Sequence, residues 1–211
     1  MGLAGDETSF FILTKLRIVY EYTKFMTKYI LGKKIGMTTL FDDKGAALNV
    51  TLVECDSRVS QIRTADKDKY TAVQLEITKT KNQKARKEFR SDEIKFKTGD
   101  KVNVDIFQIG DVVQVSGTGK AKGFQGVVKR HGFGGAPSSH GRKHDHRKPG
   151  AIGAGFPEHV IKGKRMAGRM GGKRTTSENI KVVYIDKENS IIGLKGPVPG
   201  IPGSIVEIYC K

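Results

Sequence analysis

The side chains best suited to chemistry lie in one short run, HGRKHDHR, where His140, His144, Asp145 and His146 could together ligate a metal ion. The spacing HxxxHxH supplies imidazoles, but Arg142, Lys143, Arg147 and Lys148 stand among them and oppose a divalent cation. A metal-dependent hydrolase built on those four groups is therefore one reading. The other is contact with a polyanion, since imidazoles set among cations stack on, or hydrogen-bond to, RNA.

Other catalytic patterns fail on spacing. SGTGKAKGF has the look of a phosphate loop, but Gly119 and Lys120 are followed by Ala121, and Gln114 stands where the first glycine of GxxxxGK[ST] belongs. GxGxxG fails as well, with Lys122 in its last place. The two cysteines, Cys55 and Cys210, form no CxxC pair and lie near no basic cluster, which argues against a zinc ribbon, a disulfide scaffold or a thiol nucleophile. No glycine-flanked nucleophile elbow occurs.

Charge is more informative than any catalytic pattern. Between Ser116 and Arg174 there are eight Lys and six Arg against Asp145 and Glu158, so 14 − 2 = +12 of the chain's +16 is concentrated there. The same stretch holds all five histidines and 15 of the 26 glycines, but only Phe124, Phe133 and Phe156 as aromatics. Glycine lets a main chain pass close to phosphate or sugar, and Arg and Lys neutralise the charge, so the tract suits threading through RNA. If about ten of these cations met phosphates, the log-log salt slope of binding would be roughly −7 to −9. The most irregular part, 131–161, can run out and back as a finger of up to ~50 Å at ~3.3 Å per residue.

Such a segment cannot make a core by itself, so flanking elements must hold it. Short runs rich in Val, Ile, Thr and Leu, at Met37–Phe41, Leu48–Glu54, Val59–Arg63, Ala72–Ile77 and Asp111–Val115, read as antiparallel strands bounded by turn signals. Strand signals resume after Thr175, with a hairpin around Asp186–Asn189. The basic run near 79–90 shows no apolar period and reads as a basic loop or short helix, touching phosphate or merely solvated. The expected organisation is an extension over 1–25, a first block of β-body over 26–115 carrying that basic run, a finger over 116–174, and closing strands over 175–211.

A net charge of +16 and pI near 9.8 predict a polyanionic partner. No run approaches the roughly 20 apolar residues needed to cross a bilayer, and the basic residues lie among glycines rather than along an amphipathic helix, so a membrane is not expected. Residues 1–25 lack the basic start of an export signal, and Met26 is a plausible alternative start. A reducing cytoplasm fits the cysteine usage.

The motifs GKKIGMT (Gly32–Thr38), GTGKAKGFQGVVKRHGF (Gly117–Phe133), SHGRKHDHRKPGAIG (Ser139–Gly153), KGKRMAGRMGGKRTT (Lys162–Thr176) and KGPVPGIPGS (Lys195–Ser204) together resemble the bacterial large-subunit ribosomal protein L-three family, from about Met26 to Lys211. The resemblance implies a mainly β (α+β) protein: a six-stranded translation-protein-type β-barrel with a small α/β insert and a long extended basic loop. It implies a structural, non-enzymatic constituent of the large subunit that binds 23S rRNA, supports early assembly and braces the peptidyl transferase centre. Neighbouring large-subunit proteins are further partners, with no cofactor and no small-molecule substrate. Carried onto this sequence, Lys33, Lys34, Lys120, Lys122, Lys129 and Arg130 would contact RNA at the body and the finger's base. His140, Arg142, Lys143, His144, His146, Arg147 and Lys148 would line the outgoing arm, and Lys162, Lys164, Arg165, Arg169, Lys173 and Arg174 the return, with Pro149–Pro157 as the tip. Some bacterial members carry a methylated glutamine in the tip. AIGAGFPEHV has none and is one residue shorter, so that modification is not expected here.

Overall fold

A computed structural model describes residues 28–42, 44–91, 94 and 96–210. The extension expected over 1–25, with its alternative start at Met26, lies outside the described residues. The chain is mainly β and divides into two compact units: one ends at Thr118 and resumes at Arg174, and the other is Gly119–Lys173.

In the first unit, β1 (Tyr29–Phe41), β2 (Ala47–Glu54), β7 (Val112–Thr118), β10 (Arg174–Asp186), β11 (Ile191–Lys195) and β12 (Ile205–Cys210) pair antiparallel in the order β1-β12-β7-β10-β11-β2. β2 returns to pair with β1, so the ring closes and leaves none of the six as an open edge. The alternation that predicted strands has a clear cause in β12, where Val206 and Ile208 are fully buried while Ile205, Glu207 and Tyr209 are only half-buried. Val50, Val53, Val113, Val115, Ile192 and Leu194 join them as buried core, each side chain contributing roughly 1.5–3 kcal/mol on leaving water.

A second sheet belongs to the same unit. β3 (Ser57–Arg63), β4 (Ala72–Thr80), β5 (Gln83–Arg90) and β6 (Lys101–Val102) lie in the order β5-β4-β3-β6, with the one-turn helix α1 (Ala65–Asp68) between β3 and β4. Tyr29 of β1 stacks on Phe89 of β5 at 4.9 Å between ring centroids, and burial pushes its phenol up to about 12. The basic run near 79–90 is therefore neither loop nor helix but most of a β-hairpin. The sequence signal was weak because β5 offers only Phe89 and Ala85 as apolar side chains. Its charges are matched across the pair instead: Glu76 of β4 accepts from Lys84 at 2.8 Å and from Arg86 at 3.3 Å.

β1 also begins earlier than Met37, the first residue expected to be extended. Its N-terminal half is masked in sequence by glycine and lysine, and tertiary packing explains both. A Cβ on Gly32 would lie 2.2 Å from the Val53 side chain, so the β1–β2 pair closes only around glycine. A bulge between Lys34 and Gly36 then turns Lys34 inward and leaves Ile35 exposed.

Candidate nucleic-acid interface

Backbone bonds close the base of the second unit. The Gly119 N–H donates to the Lys173 carbonyl, Lys122 N–H to Met170, and Met170 N–H to Gly123, each at 2.9 Å. Gly171 has φ of +71°, and a Cβ there would lie 2.1 Å from the Lys120 carbonyl, so glycine is required where the two arms touch. The arms next pair as β8 (Phe124–Gln125) and β9 (Gly168–Arg169). The short helix α2 (Val127–His131) follows and ends at Gly132, whose φ of 74° permits its N–H to reach the Val128 carbonyl. The Arg130 guanidinium donates to the Met166 carbonyl, and the His131 ring bonds the same oxygen at 3.0 Å. A carbonyl only accepts, so His131 carries its proton on Nε2.

From Gly132 to Ala167 no helix or strand intervenes. Val127 is the single buried hydrophobic residue described in this unit, and it stands outside the main core cluster. Local polar contacts supply what order there is. The Ala136 N–H donates to the His146 carbonyl at 3.1 Å, and His146 Nδ1 donates to the Pro137 carbonyl at 3.0 Å. Asp145 lies 3.1 Å from the Lys148 ammonium and 3.9 Å from the Arg142 guanidinium. From Arg147 to Arg165 every residue is exposed, including Phe156 at 86%.

Most residues expected to bind RNA are on the surface. Lys120, Lys122, Lys129, His140, Arg142, Lys143, His144, Arg147, Lys148, Lys162, Lys164, Arg165, Arg169, Lys173 and Arg174 are exposed. Lys33, Arg130 and His146 are half-buried, with Arg130 and His146 directed in part at the unit's own backbone. Arg174, the first residue of β10, donates to Glu207 at 2.6 Å, and that bond raises its guanidinium further above its ordinary value.

Lys34 departs from the expectation. It is 7% exposed, and its ammonium donates to the carbonyls of Val198 at 2.8 Å and Gly200 at 3.2 Å. Its own backbone bonds Ser204 and Gly203. Buried and turned inward by the bulge, it staples the KGPVPGIPGS loop to β1 instead of meeting phosphate. Two motifs remote in sequence are thus one structural feature.

The histidine run is not gathered as a metal cage: among the described residues no three His, Cys, Asp or Glu side chains converge. Sequence reasoning also missed Asp145 as the partner of Arg142 and Lys148, because in a segment without helix or strand a spacing of three does not by itself bring side chains together. Among the described residues no helix is long and apolar enough to cross a membrane.

Known proteins resemble this chain over most of its length. A family profile described as Ribosomal protein L3 matches residues 50–196. The large ribosomal subunit protein uL3 of Herpetosiphon aurantiacus is 46% identical over 203 residues, covering 87% of this chain and 96% of its own length. The proteins of that description from Prochlorococcus marinus strain NATL1A and Kocuria rhizophila are each 43% identical, across 87% and 85% of this chain and 93% and 92% of theirs. With the profile covering most of the chain, including the second sheet and the basic unit between β7 and β10, and with relatives matching over more than four-fifths of it, the chain belongs to the ribosomal protein L3 family, the uL3 proteins of the bacterial large ribosomal subunit.

Proposed function

We propose that the protein is a structural, non-enzymatic constituent of the large subunit that binds 23S rRNA through Gly119–Lys173, supports early assembly, and braces the peptidyl transferase centre with this extended loop. The closed ring of six strands serves in this reading as a translation-protein-type barrel, with the second sheet and α1 as its small α/β insert. Neighbouring large-subunit proteins complete the surroundings, and the cytoplasm is the compartment.

One observation carries the reading. The segment holding most of the chain's net positive charge has almost no core of its own and presents nearly all its cations outward. A chain that buries so little apolar surface does not offset its ordering entropy alone, whereas folded RNA supplies both counter-charge and walls. Further support comes from the relatives' description as large-subunit proteins.

The test is co-sedimentation with large subunits at moderate salt, together with binding to large-subunit rRNA fragments across a salt series. Association with the subunit and a log-log slope of roughly −7 to −9 are expected. A protein found only free in the cytosol, or equal affinity for duplex DNA at physiological salt, would overturn the reading.

A further inference from the structure

The second unit contains a cleft of about 770 Å³, a size that accommodates a nucleotide. It is lined by the segments Phe133–Ala136 and Lys148–Gly150 together with Arg142 and Asp145. The wall positions are mostly small, so the space is open to a planar group. One wall is fixed at Gly135, where φ is +72° and a Cβ would lie 2.2 Å from the His146 carbonyl. The bonds of Ala136 and His146 hold the two segments at this separation.

The lining combines three unlike groups. Phe133 offers an aromatic ring, steadied by His131 at 6.0 Å between centroids. Arg142 and Lys148 offer two cations, and their ion pairs with Asp145 hold them at the cleft. Asp145 is half exposed, so its carboxylate retains acceptor capacity after meeting both. A purely phosphate-binding cleft gains nothing from a carboxylate, which repels the ligand. A base pocket does gain, because a splayed-out base stacks on an aromatic ring and is read along its Watson–Crick edge.

The carboxylate also selects the base. Guanine presents two adjacent donors, N1–H and the N2 amino group, to a two-oxygen acceptor. Adenine and cytosine set an acceptor nitrogen beside their amino group, and uracil flanks its single N–H with carbonyls, so each of these turns a lone pair toward Asp145. We infer that this cleft is a pocket for a guanosine splayed out of RNA, its base between Phe133 and Asp145 and its phosphates on Arg142 and Lys148. The inference rests on the RNA-binding reading above and specifies what one part of that surface recognises.

The test uses the full chain and two fluorescently labelled heptaribonucleotides, UUUGUUU and UUUAUUU, compared by anisotropy at several salt concentrations. The guanosine RNA should bind more tightly, roughly fivefold to a hundredfold, the range carried by one two-bond base contact. Asp145→Asn, whose amide offers one acceptor and one donor, should abolish the preference. Arg142→Gln with Lys148→Gln should weaken binding of both RNAs. Asp145 is outside the hydrophobic core, and an unchanged thermal transition in Asp145→Asn verifies that recognition, not folding, is being read. Wild-type protein that binds both RNAs alike with strong salt dependence would overturn the pocket and leave the RNA-binding reading standing. A preference that survives Asp145→Asn would also overturn the pocket. Failure to bind either RNA would overturn the pocket, while the salt series with large-subunit rRNA fragments reads the RNA-binding proposal separately.

Discussion

The two units of this chain are ordered by different means. The body, in which β7 and β10 pair directly from Arg174↔Thr118 to Lys181↔Val112, buries a continuous set of Val, Ile and Leu within a closed ring and a second sheet. The unit of Gly119–Lys173 buries Val127 alone among its described hydrophobic residues and relies on backbone bonds, tight glycine approaches and a few ion pairs. Exposed ion pairs are each worth little, typically below about 1 kcal/mol. The lesson is that one chain separates the supply of a hydrophobic core from the display of positive charge. The second surface remains charged because it is not asked to supply a core.

Stability measurements can break or sharpen that contrast. The largest effect is expected from Leu194→Ala, which removes a fully buried side chain from the ring and should cost about 2–5 kcal/mol. Denaturant unfolding reads it directly, and an effect below 1 kcal/mol would contradict a core centred on the ring. Next comes Lys34→Met, which strips the Val198 and Gly200 carbonyls of their donor and should cost about 1–3 kcal/mol. A loss of rRNA affinity with unchanged stability would instead return Lys34 to the phosphate-contacting set.

A smaller effect belongs to acid. The Lys28 ammonium, with the Gln108 N–H, holds the Asp111 carboxyl below its ordinary value, and Lys84 does the same for Glu76. A carboxyl depressed in the folded state contributes stability that is fully present above its unfolded value near ~4 and is lost as pH falls through the folded one. Melting temperature should therefore hold steady down to about pH 5 and decline below it, and Asp111→Asn should flatten part of that decline. A body that loses stability between pH 6 and 8 would show that other groups dominate.

The smallest effect on stability is the most demanding of the comparison. Deleting Gly132–Val160 should leave cooperative thermal unfolding of the body nearly unchanged, since its core residues lie outside the deleted stretch. RNA binding should suffer: loss of Arg142, Lys143, Arg147 and Lys148 should reduce the magnitude of the salt slope by about 3. A deletion variant without a cooperative transition would mean that the body depends on the segment it carries.

Much of this was legible in the sequence because the signals were local. Alternation of Val and Ile located β2, β4 and β7, and turn residues at Asp186–Asn189 located the β10–β11 hairpin. The concentration of Lys, Arg and Gly between two blocks of strands marked the cationic segment. What misled was charge without a period: in β5 Lys84 and Arg86 are answered by Glu76 on the neighbouring strand and Lys87 by Glu207, matches that depend on strand pairing rather than on any local period.

By itself the sequence determined the strand-rich character of the body, the place where positive charge collects and, through its ordered motifs, the family. Only the tertiary structure decided which lysines face solvent, that GKKIGMT and KGPVPGIPGS meet through Lys34, and that Asp145 gathers Arg142 and Lys148 at a cleft. The physical reason is one of range. Strand formation and net charge follow from neighbours along the chain, whereas the direction of a side chain depends on bulges, ring closure and backbone approaches between residues as far apart as Lys34 and Val198.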